Sequence, residues 1–239
     1  ALASDAVIHT AFVHDFSRFQ ESCAIDRIAI EALGAAIEDT DKPMIVTAGV
    51  AFLEKANQVA TENDNAPKPT DDYPRTSEIA ARALAARGIR ASVMRLPPSV
   101  HGSGDHGFVP MLIGIAQEKG LSAYIDEGGN HWSAVHRRDA ACAFRLAIEL
   151  GSMGETFHAV GQQGVPFRKI AQAIATGLDV PCRSIPTTDA AKHFTWPTPF
   201  AAMDEPASSA QTRERLGWTP TGPELLKDIA GHFGLTTPV

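Results

Sequence analysis

The chain has 239 residues, of which 44% are apolar and 21% charged, and a formal net charge of −7. Its Lys and Arg residues are scattered along the sequence, so the charge pattern does not indicate a basic surface that would bind nucleic acid or an acidic membrane. No apolar run approaches the roughly 20 residues that cross a bilayer, and we expect a soluble protein with one main core and a small-molecule ligand.

The first half of the chain predicts an alternation of strands and helices. Residues 5–12 form a short apolar run with β-branched members, which predicts a strand that is buried on both faces and central in its sheet. In residues 19–37 apolar side chains recur at helical spacing between charged ones, which predicts an amphipathic helix. Residues 42–49 predict a second buried strand. The polar residues 57–72 predict a loop at the rim of an active site.

The following segments continue the alternation. Residues 77–87 are alanine-rich and predict a helix that ends at Gly88, where a C-terminal cap is expected. Residues 91–96 predict a third strand, which Pro97 and Pro98 terminate. Strict alternation of strand and helix indicates an α/β fold with a doubly wound, Rossmann-like parallel sheet.

The second half predicts further helices and a different C-terminal region. Helices are expected at residues 108–119, 139–150 and 167–176, with a short strand at residues 155–160. From Val180 onward the chain is richer in Pro, Thr and Ser and has weaker periodicity, which favours a smaller C-terminal lobe over the mouth of the sheet. Within this frame we expect Asp139 to cap its helix, and Trp132 and Trp218 to pack inside the lobe.

Three cysteines, Cys23, Cys142 and Cys182, are far apart and lack the spacing of metal ligands. Their odd number and wide separation favour free thiols in a reducing compartment, which predicts a cytoplasmic protein. We expect no metal site. The composition leaves a homodimer open.

Five segments follow one another in a recognisable order. Residues 5–11 contain D-x-V-x-H-x-A, residues 44–49 form a strand with Thr47 near its end, and residues 95–102 contain R-x-P-P-x-V-x-G. Residues 135–139 contain V-x-x-x-D, and residues 209–220 contain S-x-x-x-R-x-x-L-G-W-x-P. Together these segments resemble the extended short-chain dehydrogenase/reductases, in particular an atypical branch of the NAD-dependent epimerase/dehydratase family.

The resemblance covers nearly the whole chain and implies two regions. Residues 1–178 would form a partial Rossmann-like NAD(P)-binding domain, with residues 103–135 contributing to the substrate lobe. Residues 179–239 would form the small C-terminal lobe itself. The cofactor implied by the resemblance is NAD or NADP, and the sequence does not distinguish the two.

The glycine-rich front of the family is not found in this sequence. Members carry a G-x-x-G-x-x-G turn between a strand and a helix, where free amides and the helix dipole hold the pyrophosphate. Residues 102–107 contain G-x-G-x-x-G, but their order in the chain places them in the turn after the sixth family strand. The abrupt start before the first predicted strand favours a fragment of a longer protein over a remnant that has lost its cofactor.

The family's catalytic motif is altered. In Y-x-x-x-K, the lysine lowers the pKa of the tyrosine, which exchanges a proton with the substrate oxygen while a Ser or Thr steadies that oxygen. Here Ser77 stands where the lysine would be, four residues after Tyr73. The resemblance implies Tyr73 as proton donor, Arg75 as its electrostatic partner and Thr47 as the steadying hydroxyl. The alternatives are a loop tyrosine before a helix and a threonine that only packs.

Further candidates lie where the carboxyl ends of parallel strands line a ligand crevice. His14, His101 and His136 fall near such ends and could polarise a substrate oxygen, or they could simply bond backbone groups at loop corners. A zinc site built from the three is disfavoured, because none has local ligand spacing. By resemblance, the cofactor would contact the backbone of two short stretches: Ala11, Phe12 and Val13, and Pro97, Pro98, Ser99 and Val100.

Two hypotheses follow. The first is an NAD(P)-dependent epimerase, dehydratase or carbonyl reductase that acts on a small hydroxylated or carbonyl substrate. The second is a protein of the same fold that senses NAD(P) or binds a partner and has lost the Y-x-x-x-K chemistry.

Overall fold

The computed structural model describes residues 1–55, 58–71, 73–195 and 198–233. Its strands are β1 (Val7–His9), β2 (Met44–Gly49), β3 (Ala91–Leu96), β4 (Ser99–His101), β5 (Ser122–Ile125), β6 (His131–His136), β7 (Thr156–His158), β8 (Gln162–Pro166) and β9 (Cys182–Ile185). Its helices are α1 (Phe19–Ile37), α2 (Ser77–Ala86), α3 (Phe108–Lys119), α4 (Arg137–Leu150), α5 (Phe167–Leu178), α6 (Thr187–Phe194), α7 (Thr198–Ala202), α8 (Ala210–Leu216) and α9 (Leu225–His232).

The main sheet has the order β1-β2-β3-β7, and all its strands are parallel. The inner strands β2 and β3 are buried along almost their whole length because helices cover both faces of the sheet. The parallel directions bring the carboxyl ends of β1, β2 and β3 to one edge, which is where ligands bind in this architecture. The prediction of a Rossmann-like parallel sheet is confirmed.

The helices α1 and α2 cover one face of this sheet. They approach so closely that a Cβ on Gly34 would lie 2.5 Å from Leu84 Cδ1, so the glycine permits the contact. The helix α2 ends as predicted: Gly88 has φ +91°, and the amide of Ile89 donates to the carbonyl of Leu84 across the turn.

The prediction that the first strand is central and buried on both faces does not hold for the described residues. The strand β1 pairs with β2 alone there, so it is an edge strand. Val7 and His9 face α1 and α2, whereas Ile8 on the opposite face is 46% exposed because no described element packs over it.

Two smaller sheets complete the fold. Strands β4 and β6 pair in parallel and β8 joins β6 antiparallel, while β5 and β9 form a separate parallel pair. The lobe has its own apolar core, in which Trp132, Phe167, Ile170 and Phe194 pack beside α3 and α9. No helix in the described ranges is long and apolar enough to cross a membrane.

Two elements pack across the predicted boundary at residue 178. The helix α5 packs into the lobe core, beside β5 and α9. In the other direction α8 returns to the main sheet, and Trp218 packs there among Ile45, Met94 and Phe157 rather than inside the lobe. Trp132 does lie in the lobe core.

Asp139 has a structural role other than the predicted cap. The N-cap position of α4 is His136, and Asp139 lies in the first turn. Its carboxylate accepts from the amides of Thr221 at 3.1 Å and Gly222 at 2.8 Å. The side chain therefore ties the C-terminal loop to the main domain, instead of satisfying the first amides of its own helix.

Candidate active site

A cavity of about 690 Å³ opens at the carboxyl edge of the main sheet, between β1, β2 and β3 and the lobe. Its size is that of pockets that enclose small organic ligands. Of the residues predicted for the site, those that line it are Phe12, His14, Thr47, Tyr73, Arg75, Pro97, Pro98, Ser99 and Val100.

Four predicted residues lie elsewhere. Ala11 and Val13 do not line the cavity, and Val13 is exposed. His101 and His136 also lie outside it and are close to each other, with ring centroids 5.6 Å apart. His14 alone of the three predicted histidines reaches the cavity, so the three do not converge on one site.

An aromatic wall surrounds much of the cavity. We use this name for Phe12, Phe16, Phe19, Tyr73, Phe108 and Phe200. Neighbouring rings of the wall are in contact. The ring centroid of Phe19 lies 6.1 Å from that of Phe12 and 6.1 Å from that of Tyr73, and the ring centroids of Phe108 and Phe200 are 4.4 Å apart. The wall joins the loop after β1 to the lobe.

A buried polar network lies beneath the wall. His9 Nε2 lies 2.7 Å from Asp26 Oδ1, and Ser77 Oγ donates to Asp26 Oδ2 at 2.5 Å. Burial by itself would raise the pKa of Asp26, but the hydrogen bonds from His9 and Ser77 outweigh it and hold the pKa below its usual value. The carboxylate is therefore ionised at neutral pH and fixes the start of α2.

Arg75 is the next member of this network. Its Nε donates to Ser77 Oγ at 3.1 Å, and its guanidinium carbon lies 4.3 Å from the centre of the Phe12 ring. Ser77, four residues after Tyr73, thus orients Arg75. A guanidinium on an aromatic face is a favourable cation–π contact.

Two residues that line the cavity carry a buried hydroxyl without a partner among the described residues: Thr47 on β2 and Ser99 on β4. A buried hydroxyl without a hydrogen bond is costly, so these two atoms are suited to hold a polar group of a ligand.

Tyr73 lines the cavity. The ring packs edge-on against Phe52 at 5.1 Å, and the hydroxyl makes no hydrogen bond to described residues. Burial raises the pKa of Tyr73 above its ordinary value, and the charge of Arg75 only partly offsets this. Tyr73 is therefore protonated at neutral pH.

His14 packs edge-on against Phe12, with ring centroids 5.1 Å apart. Burial lowers its pKa, and the nearby charge of Arg75 lowers it further. The imidazole is neutral at neutral pH and can exchange a hydrogen bond with a ligand.

The G-x-G-x-x-G segment has the wrong surroundings for a phosphate. It follows β4 and leads into α3, but the chain continues from α3 to β5 in a different sheet, so no strand-helix-strand unit forms. Asp105 Oδ1 accepts from the amide of Gly107 at 2.7 Å and so occupies the position of an anion at the helix start. The glycines form the turn between β4 and α3.

Sequence reasoning missed His9, Asp26 and the aromatic wall. The signal for the first two was present, because His9 lies within a buried strand and Asp26 lies on the apolar stripe of α1 beside Cys23 and Ile30. A polar residue on such a stripe needs a buried partner. The wall had no such signal, because its rings come from segments that are far apart in the chain.

Comparison with known proteins places the chain. No protein-family model matches it. It is 47% identical over 227 residues to the uncharacterized protein C2A9.02 of Schizosaccharomyces pombe, a match that covers 95% of this chain and 76% of that protein. It is 43% identical over 235 residues to the uncharacterized protein YLL056C of Saccharomyces cerevisiae, covering 98% and 78%. The chain belongs to the same family as these two fungal proteins.

Solved structures with the same fold include a dTDP-glucose 4,6-dehydratase and a protein solved with NADPH. DesIV, a dTDP-glucose 4,6-dehydratase from Streptomyces venezuelae solved with NAD and TYD, matches with a TM-score of 0.74 at 15% identity, over 96% of this chain and 72% of DesIV. RMD from Pseudomonas aeruginosa, solved with NADPH, matches with a TM-score of 0.70 at 16% identity, over 96% and 81%. At these identities the similarity establishes the fold.

Proposed function

We propose that the chain is an NAD(P)-dependent oxidoreductase that reduces a small carbonyl compound in the cavity at the carboxyl ends of β1, β2 and β3. One observation carries the proposal: Thr47 and Tyr73 line the same cavity, and neither hydroxyl has a hydrogen-bond partner among the described residues. The fold supports the cofactor, since solved neighbours of this fold contain NAD or NADPH.

The cavity residues fit the nicotinamide end of such a dinucleotide. Pro97, Pro98 and Val100 offer an apolar surface for a flat ring, and the buried hydroxyl of Ser99 is available for its polar group. The G-x-G-x-x-G segment does not fit the pyrophosphate, because Asp105 already occupies the amide of Gly107. We therefore assign only the nicotinamide end to these residues. When bound, a reduced nicotinamide supplies a hydride to the carbonyl carbon.

The side chains of the cavity account for the proton. Tyr73, which is protonated at neutral pH, donates the proton to the carbonyl oxygen while Thr47 donates a hydrogen bond to that oxygen. Burial raises the pKa of Tyr73, so its hydroxyl carries the proton at neutral pH. The aromatic wall keeps competing water from the reacting atoms.

A second function, binding of NAD(P) without turnover, is favoured by the altered motif. Ser77 stands at the lysine position and donates to Asp26, so the network contains no lysine that could relay a proton to Tyr73. This protein would bind the dinucleotide and leave it unchanged.

Replacing Tyr73 by Phe separates the two functions. Purified full-length protein is assayed with NADH and NADPH against a panel of aliphatic and aromatic aldehydes and ketones, alongside Tyr73→Phe. We expect the substitution to lower turnover by about 100-fold or more and to leave dinucleotide affinity nearly unchanged, because only the proton donor is removed.

The chain offers a matched control. Tyr124, the second of its two tyrosines, lies on β5 and does not line the cavity, so Tyr124→Phe should keep wild-type turnover. Equal turnover of the wild type and Tyr73→Phe would remove Tyr73 from the mechanism. Tight dinucleotide binding with no turnover across the panel would establish the second function instead.

A further inference from the structure

The interior of the cavity combines a broad aromatic surface with a single strong cation. Among the described residues that line it, Arg75 is the one Lys or Arg, while six rings of the aromatic wall surround the space. Aromatic rings pack best against flat, apolar ligands, edge to face or offset. The surface therefore favours a planar body over a strongly hydrated sugar.

Arg75 is held in place with its hydrogen-bonding capacity largely unused. Ser77 accepts from Nε and Phe12 lies against the guanidinium face, so orientation is fixed from two sides. The two Nη groups have no hydrogen-bond partner and no ion pair among the described residues. A fixed guanidinium fork with both Nη groups available matches the two oxygens of a carboxylate.

The acidic groups that line the cavity make no direct ion pair with Arg75, although Asp26 interacts with its charge and is linked to it through Ser77. Asp26 is engaged by His9 and Ser77, and Asp105 is bound to the amide of Gly107. Neither forms an ion pair with Arg75. A cation in a largely apolar cavity is costly to desolvate unless an anion meets it, so an anionic ligand gains where a neutral one does not.

We propose that the site selects small aromatic compounds that carry a carboxylate. The guanidinium of Arg75 binds that carboxylate, and the aromatic wall packs against the ring. This substrate class rests on the proposed carbonyl reductase function, but the binding step can be measured without turnover. A phosphate of the dinucleotide also presents two anionic oxygens to Arg75. The test must therefore distinguish a substrate carboxylate from a cofactor phosphate.

The test is calorimetric titration of the full-length protein with benzoate and with benzyl alcohol, which have the same ring but differ in charge. We expect the wild type to bind benzoate at least about 10-fold more tightly, and Arg75→Gln to abolish this preference, because a charged hydrogen bond is lost. Arg75→Lys keeps the positive charge but loses the two parallel N–H donors, so it should retain part of the preference for benzoate. It replaces Arg75→Gln in the test if the glutamine variant does not fold. Arg87→Gln is the matched control, since Arg87 pairs with Glu38 on the exposed end of α2.

Each outcome bears on the proposal. A preference for benzoate that disappears in the Arg75 variants and persists in Arg87→Gln supports it, whether or not any carbonyl is reduced. Equal binding of benzoate and benzyl alcohol by the wild type would overturn it, as would a preference that survives in both Arg75 variants. Loss of NADPH affinity in the Arg75 variants, with the benzoate preference unchanged, would assign Arg75 to a cofactor phosphate and also overturn it. With an active enzyme, the kcat/KM ratio of 3-formylbenzoate to benzaldehyde should fall in parallel with the binding preference.

Discussion

Replacing Glu78 by Gln should destabilise the protein more than any loss of a surface ion pair. Arg95 is fully buried, and its Nε and Nη2 donate to the two oxygens of Glu78 at 2.8 and 2.7 Å. Glu78→Gln removes the negative charge and leaves the buried guanidinium without its ion-pair partner. Removing one partner of a buried pair costs about 3–5 kcal/mol, a large part of the roughly 5–15 kcal/mol that stabilises a domain.

The measurement is urea unfolding of the wild type and Glu78→Gln at neutral pH, followed by circular dichroism. Glu149→Gln is the control, because Glu149 forms an exposed pair with Arg145 on α4 and should change the free energy of unfolding by less than about 1 kcal/mol. If Glu78→Gln costs no more than Glu149→Gln, the buried pair is not the constraint that we infer.

The same pair predicts the response to acid. Burial by itself raises the pKa of Glu78, but the hydrogen bonds and charge of Arg95 outweigh it, and the pKa in the folded protein lies below the ordinary value. A lowered folded pKa means that the stabilisation is complete above the unfolded pKa, about 4.3 for Glu, and is lost as the pH falls through the folded value. The stability difference between the wild type and Glu78→Gln should therefore be constant from neutral pH down to about pH 5 and narrow below about pH 4.

Two further predictions concern the helix contact and the cavity. Gly34→Ala should destabilise the folded protein by about 1–3 kcal/mol, because its Cβ would lie 2.5 Å from the buried Leu84. Gly114→Ala in α3, where a Cβ meets nothing within 4 Å, should stabilise it by up to about 1 kcal/mol. Thermal unfolding compares the two variants, and equal effects on stability would refute the close contact at Gly34. Thr47→Val should leave the free energy of unfolding unchanged or slightly higher, since Thr47 Oγ1 is buried without a partner among the described residues. The same substitution should lower kcat/KM for a carbonyl substrate by about 10-fold. An undiminished kcat/KM would show that the hydroxyl does not contact the substrate.

The elements that could be predicted from the sequence are those whose signal is local. The helix at residues 19–37 has the predicted bounds because its apolar stripe is long and periodic. The end of α2 at Gly88 also follows from local rules, since a positive φ there favours glycine. The short strands β5 and β9 were not predicted, because four residues are too few for a periodic pattern and their pairing joins segments that lie far apart in the chain.

The candidate site was predicted in part for the same reason. Thr47 and Pro97 could be placed by their positions at strand ends, and both line the cavity. The use of Ser77 could not be foreseen, because it depends on Asp26, which comes from a different helix. The predicted rim loop at residues 57–72 begins and ends at positions outside the described residues. Its inner part is anchored, since Arg95 Nη2 donates to the carbonyl of Asp64.

Transfer of a labelled hydride tests whether the protein reduces a carbonyl compound with a bound nicotinamide. The full-length protein is incubated with aromatic and aliphatic aldehydes and with NADH or NADPH deuterated at the transferred position of the nicotinamide ring, and the products are examined by mass spectrometry. We expect an alcohol that carries one deuterium on the former carbonyl carbon, formed at a rate that Tyr73→Phe lowers by about 100-fold. Bound dinucleotide that stays unconsumed, with no deuterated alcohol from any aldehyde, would contradict it.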